Sequence, residues 1–196
     1  MILVLALFLA VLIAVLTGGK LRRLANLPLH APWLALLGFG LQIYIIYEPE
    51  TTARGWLSLH TIALVFSYLL LLAFVGMNRR LPGMPIIALG LLMNLTVMLA
   101  NGGYMPISPE AVRRVGHEYE LQSTEPGARL KYTKDILLPR EQTRLWFLSD
   151  VFVLPPPFPI PTVFSPGDAV LALGIWVLVL ATCHSARWDS PPAQAA

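Results

Sequence analysis

Apolar positions fall into five blocks along this chain, and one polar stretch interrupts their succession. The blocks are Ile2 to Gly18, Pro32 to Tyr47, Trp56 to Gly76, Pro85 to Asn101 and Ala169 to His184, each free of Asp, Glu, Lys and Arg. A helix rises about 1.5 Å per residue, so crossing a hydrocarbon core takes about 20 apolar residues, with a usual range of about 17 to 25. The blocks therefore predict an all-α integral membrane protein, a bundle of five transmembrane helices. Prolines at 28, 32, 82, 85 and 166 sit just ahead of or at block starts, where a helix loses nothing by the missing N–H. Trp33, Tyr44, Tyr47, Trp56, Tyr104 and Trp188 fall near block ends, the interfacial position that suits amphipathic rings.

The interruption, residues 102–167, holds seven of the fourteen Lys and Arg and seven of the eleven acids. It is too long for a plain connector. Ser108-Pro109-Glu110 combines a helix cap, a first-turn proline and an early acid, and predicts a helix through Val112, Val115 and Tyr119 that Gly116 weakens. Gln122 to Gly127 reads as a turn, and Tyr132 to Leu138 fits either an extended piece or a short helical one. Arg140 to Val153 is the most amphipathic run, with Trp146 on its apolar side and Arg144 on its charged side; it predicts an interfacial helix. Pro155-Pro-Pro-Phe-Pro-Ile-Pro161 predicts a stiff extended arm spacing that helix from the fifth block. The last residues, 189–196, read as a disordered tail.

Composition sharpens the class. Over 196 residues, 56% are hydrophobic and only 13% charged, against about 25% charged in soluble domains. A formal charge of +3, dispersed among block ends, excludes a nucleic-acid surface. The single cysteine, Cys183, excludes an internal disulfide. No basic residue precedes the first block and no small-x-small cleavage site follows it, so it is read as a span and not as a signal peptide. Lys20, Arg22 and Arg23, Arg79 and Arg80, and Arg187 follow the first, third and fifth blocks, whereas the loop after the second carries Glu48, Glu50 and one Arg54. By the positive-inside rule the N-terminus lies outside, the C-terminus inside and the long loop outside.

Polar groups at membrane depth either pair or line a cavity, which singles out Gln42, His60, Ser67, Asn94 and Thr96. An interhelical hydrogen bond is the plain account of the amides. Asn101, Gly102 and Gly103 close the fourth block as a helix C-terminus, leaving the Asn101 side chain to cap or to meet the returning loop. Ser165, Pro166 and Asp168 form a helix start in which Asp168 bonds back to the cap. The sharper reading joins Asp150 and Asp168 as a carboxylate pair, one acid and one base, activating water. His117-Glu118-Tyr119-Glu120 has no metal-ligand spacing, and no phosphate loop, Gly-x-Ser-x-Gly elbow or haem motif occurs, so no cofactor or metal is expected.

The opening Met1-Ile-Leu, the turn Gly18-Gly-Lys-Leu-Arg-Arg-Leu, Asn101-Gly-Gly-Tyr-Met-Pro, Thr143-Arg-Leu-Trp-Phe-Leu-Ser-Asp150 and Ser165-Pro-Gly-Asp168 together resemble a bacterial membrane family, domain of unknown function 5317. That resemblance implies a multi-pass protein of the cell membrane and transfers no activity. Phe164-Ser-Pro-Gly-Asp168 is also similar to the last motif of signal peptidase II, which implies a catalytic role for Asp168. The other motif of that family, Gly-Asn-x-x-Asp-Arg, has no counterpart at Asn94 or Asn101, which leaves Asp150 as the second acid. Two functions are expected on this basis. One is a non-enzymatic component whose outer loop binds a membrane-protein partner or the lipid bilayer; the alternative is an aspartic-type hydrolase at the membrane interface.

Overall fold

The computed structural model describes residues 2–47, 58–116, 118, 121, 126–130 and 133–189. These residues are mostly helical, with α1 (Ile2–Leu16), α2 (Arg22–Ala25), α3 (Pro32–Tyr47), α4 (Leu59–Met77), α5 (Met84–Ala100), α6 (Pro109–Arg114) and α7 (Pro166–His184). Four short strands lie between α5 and α7: β1 (Met105–Ile107), β2 (Asp135–Leu137), β3 (Phe152–Leu154) and β4 (Thr162–Phe164). The five apolar blocks thus become α1, α3, α4, α5 and α7. Among the described residues only α4 and α7, at 19 residues each, are long and apolar enough to cross a membrane by themselves; α1, α3 and α5 have 15, 16 and 17 residues.

Small residues decide how these helices pack. α3 lies on α4, α4 on α5, α5 on α7 and α7 on α1. Between α5 and α7 the backbones nearly touch: a methyl group at Gly90 would stand 2.7 Å from the Gly167 carbonyl oxygen and 2.8 Å from the Leu171 nitrogen. Gly174 repeats the approach one heptad further on, where a methyl would stand 2.8 Å from the Ile87 nitrogen. On α1 the alanines at 6, 10 and 14 fall on one face at a spacing of four and bury against α7, whose Trp176 Nε1 donates to the Ala6 carbonyl at 2.8 Å. The outward faces of α1 and α3 remain apolar and exposed, as Phe8, Leu16, Leu36 and Tyr47 illustrate.

The two ends of the bundle differ in chemistry. At one end Arg23 forks onto Asp189, with Nε to Oδ1 at 2.8 Å and Nη2 to Oδ2 at 2.9 Å, and gives Nη1 to the Cys183 carbonyl at 2.8 Å. Arg79, Arg80 and Arg187 line a cleft at this same end. Asp189, read from sequence as the start of a disordered tail, is therefore an anchored residue; residues 190–196 lie outside the described ones. At the opposite end sits the polar insert between α5 and α7. Its strand β1 is fully buried and pairs in parallel with β2, Met105 opposite Asp135 and Ile107 opposite Leu137. The Asp150 N–H donates to the Pro106 carbonyl on the other side of β1 at 3.2 Å.

The insert departs from its sequence reading in three places. Helix α6 starts at the expected cap, the Ala111 N–H donating to Ser108 Oγ at 3.2 Å, but stops at Arg114 because Gly116 turns left-handed at φ +84°. Tyr119, where the helix was expected to run, lies outside the described residues, as do Gln122 to Glu125 of the turn. The amphipathic run is not one helix: extended Thr143 and left-handed Leu145 at φ +53° break it into 3-10 turns at Arg140–Gln142 and Trp146–Leu148, followed by β3. The proline arm is not a spacer either. It reverses the chain, with Phe158 N–H donating to the Pro155 carbonyl at 3.1 Å, so that β3 and β4 pair antiparallel and Phe152 meets Phe164 at 5.3 Å.

Candidate functional site

Where the insert meets the helices, three side chains close a polar circuit. Asn94, fully buried on α5, donates Nδ2 to Asp168 Oδ1 at 2.8 Å and accepts the Ser165 hydroxyl on Oδ1 at 2.8 Å. The Asp168 N–H donates to Ser165 Oγ at 3.0 Å, and the Ser165 N–H returns to Asp168 Oδ2 at 3.3 Å, a complete capping box. Asp168 therefore has both carboxylate oxygens engaged. Lys134, on the way into β2, donates Nζ to the Tyr68 hydroxyl at 2.9 Å and so ties the insert to α4. Burial works against its ammonium, yet Tyr68 and the charges of Asp168 and Asp135 outweigh that and hold the Lys134 pKa above the ordinary lysine value.

Beneath Lys134 and Asp168 the helices leave a groove of about 230 Å³. Its walls are apolar, including Phe39 on α3, Leu71 on α4, Leu91 on α5, Leu171 on α7 and Leu3 on α1; Gln42, Tyr68, Lys134 and Asp168 supply its polar groups. Gln42 reaches across to Ser67, Nε2 to Oγ at 3.2 Å. The arrangement offers an apolar channel with hydrogen-bonding chemistry at one end, which suits an amphipathic molecule.

Asp150 lies elsewhere. Its backbone borders β1, its side chain is buried, and among the described residues its Oδ1 has no hydrogen-bond partner. Burial pushes the carboxyl well above the usual carboxylate range, the charges of Asp135 and Asp168 push the same way, and Lys134 opposes them. It lines a second cleft, of about 250 Å³, with Trp146, Arg114 and Arg140. The charge of Asp168 thus reaches Asp150, while the two residues line different cavities. Among the described residues no cluster of His, Cys, Asp and Glu is arranged to hold a metal ion.

The remaining sequence candidates are structural neighbours of this site. Asn101 clamps the insert to α5: Nδ2 donates to the Val97 and Arg144 carbonyls, each at 2.8 Å, and the Arg144 N–H returns to Oδ1 at 2.9 Å. Arg144 thus contributes its backbone here. Gly102 and Gly103 are left-handed at φ +85° and +94°, and a methyl at Gly103 would collide with the Thr61 side chain. Trp146 carries the Arg140 guanidinium stacked 3.6 Å from its ring centre. His60 lies in the first turn of α4, at the insert end. His117, Tyr119 and Glu120 are outside the described residues.

Sequence reasoning missed Lys134, Tyr68 and Asp135. Lys134 stands in a mixed segment, and the only signal that could have marked it is a single lysine flanked by Thr133 and Asp135 just ahead of an apolar Ile-Leu-Leu run.

A family model described as a family of unknown function, DUF5317, matches residues 26–180. No curated protein and no solved structure matches the chain. The local likeness to signal peptidase II therefore finds no support in these comparisons, and the capping box accounts for the Ser165 to Asp168 sequence by itself.

Proposed function

The chain belongs to the DUF5317 family of unknown function, and from that premise we propose that it is a five-span, non-enzymatic protein of the cell membrane that holds the acyl chain of a bilayer lipid in the groove between its helices. The observation that carries this reading is the apolar groove ending at Tyr68, Lys134 and Asp168. Access supports a lipid as the occupant: α1 and α3 stand at the two ends of the packing series, both line the groove, and both present exposed apolar faces to their surroundings. The volume fits one chain. An apolar cavity of about 150 Å³ accepts a benzene ring, so this groove takes a single alkyl chain and excludes a pair.

The five apolar helices, and a basic end opposite the insert, support a membrane-crossing bundle with the insert outside and Arg79, Arg80 and Arg187 inside. Helices of 15 to 17 residues span by local thinning or with help from flanking turns. Lipid retention after purification in mild detergent, read by native mass spectrometry, tests the proposal. Leu91→Trp and Leu171→Trp should fill the groove and release the bound lipid. Lipid retained equally by wild type and both variants would sink it.

A second reading, interfacial hydrolysis by Asp150 and Asp168, draws on the charge of Asp168 reaching Asp150. It requires a hydrolytic activity that both Asp150→Asn and Asp168→Asn abolish. The double engagement of the Asp168 oxygens favours the first reading.

A further inference from the structure

The cleft that Asp150 lines is separate from the groove. It holds about 250 Å³, and its rim carries two guanidinium groups, those of Arg114 and Arg140. Among the described residues neither has a hydrogen-bond or ion-pair partner, although Arg113 next to them is paired with Glu110 at 2.7 Å. That pair also engages Glu110, the acid on the rim. Arg140 is already ordered by its stack on Trp146, so its N–H edges are held in place without further loss of side-chain freedom. The hydroxyl groups of the wall differ in what they can give: Thr143 and Ser149 donate to backbone carbonyls, whereas Ser108 only accepts, leaving its proton free. Asp150 completes the lining, its Oδ1 buried and without a hydrogen-bond partner among the described residues.

We propose that this cleft is a binding site for a phosphate ester, gripped by Arg114 and Arg140 and by the Ser108 hydroxyl. Two planar forks and one hydroxyl present more donors than a carboxylate has oxygens to accept, and a tetrahedral phosphate matches that surplus. Asp150 favours the same choice. Burial and the nearby charges of Asp135 and Asp168 hold its carboxyl toward the protonated form, which lessens the charge that would repel an anion. The inference stands apart from the lipid groove, and neither depends on the other.

Isothermal titration of the purified full-length protein in zwitterionic nanodiscs tests it, with inorganic phosphate and glycerol 3-phosphate as soluble probes and phosphatidylglycerol in the disc as the lipid form. Saturable binding of a soluble probe in both discs identifies a free phosphate ester; soluble-probe binding that is lost when the disc carries phosphatidylglycerol identifies a headgroup as the occupant. Either result supports the site, provided that Arg114→Gln and Arg140→Gln each weaken it at least about tenfold, the scale of one charge-assisted bond. Arg140→Lys guards against misfolding: it keeps the charge, loses the fork, and should weaken binding less than Arg140→Gln. Absence of binding to all three probes, binding unchanged in the Gln variants, or preferential binding of ethanolamine overturns the proposal.

Discussion

Removing the Asn94 side chain should cost about 3 kcal/mol of stability, because it breaks the polar circuit that joins α5 to the start of α7. The magnitude follows from the two bonds lost. One runs from Asn94 Nδ2 to the Asp168 carboxylate at 2.8 Å, and a hydrogen bond to a charged group contributes about 1.5–3 kcal/mol. The other runs from the Ser165 hydroxyl to Asn94 Oδ1 at 2.8 Å, and a neutral bond contributes about 0.5–1.5 kcal/mol. Asn94 and Ser165 are both fully buried, so in Asn94→Ala water does not replace what is lost. Hydrogen bonds between membrane helices average only about 0.6 kcal/mol, however, because helices unfolded within a bilayer find other partners. The two scales separate cleanly. A double-mutant cycle of Asn94→Ala and Asp168→Ala, read by reversible denaturation in mixed micelles, should give a coupling of about 1.5–3 kcal/mol. A coupling at or below about 0.6 kcal/mol would refute the magnitude assigned to this buried circuit.

Two further outcomes follow from other parts of the molecule. The folded Asp150 carboxyl holds its proton more tightly than the unfolded chain does, so the native state binds more protons above about pH 4 and stability should fall as pH rises toward the folded pKa. Asp150→Asn should flatten that decline; Tm curves for wild type and variant that stay parallel from acid to neutral pH would contradict it. The depressed Asp189, held by Arg23, acts with the opposite sign and cancels in the difference between the two proteins. Gly90→Ala pushes a methyl against backbone of α7, which cannot swing aside, and should cost about 1–3 kcal/mol, the usual range for overpacking. Gly40→Ala, where a methyl meets nothing, is the matched control in thermal denaturation and should lose no stability.

The helices were legible because hydropathy is a local property. Pro32–Tyr47 coincides with its apolar block, and α7 begins earlier than its block, at Pro166, because the Ser165 cap and Asp168 start the helix before the first long apolar residue. The same locality misled at Arg140 to Val153. Its apolar residues suit a helix on composition, yet Leu145 turns left-handed and Thr143 extends, so the run breaks into separate turns and the rings of Trp146 and Phe147 meet edge to face, their planes at 89°. The proline arm was legible as non-helical and illegible as a reversal, since the pairing of Phe152 with Phe164 depends on chain that the prolines only connect.

Partnerships across the chain explain what remained hidden in the site. Asn94 and Asp168 were each singled out for a plain structural role, and both roles are present; what no spacing announced is that one hydrogen bond joins them across 74 positions. Lys134 meets Tyr68 across 66 positions, so the polar head of the groove comes from a loop residue and a mid-helix residue with no motif between them. The same long-range packing removes the separateness that the polar insert has in sequence. Tyr104, Met105 and Ile136 belong to the apolar core of the helices, while the insert's own cluster amounts to Ile107, Ala111, Val112, Leu130 and Leu137 with a few half-buried neighbours. So small a cluster cannot offset the entropy of ordering some sixty residues. The insert therefore owes its shape to the bundle beneath it, and the ends of the groove and the walls of the cleft are held by one continuous packing arrangement.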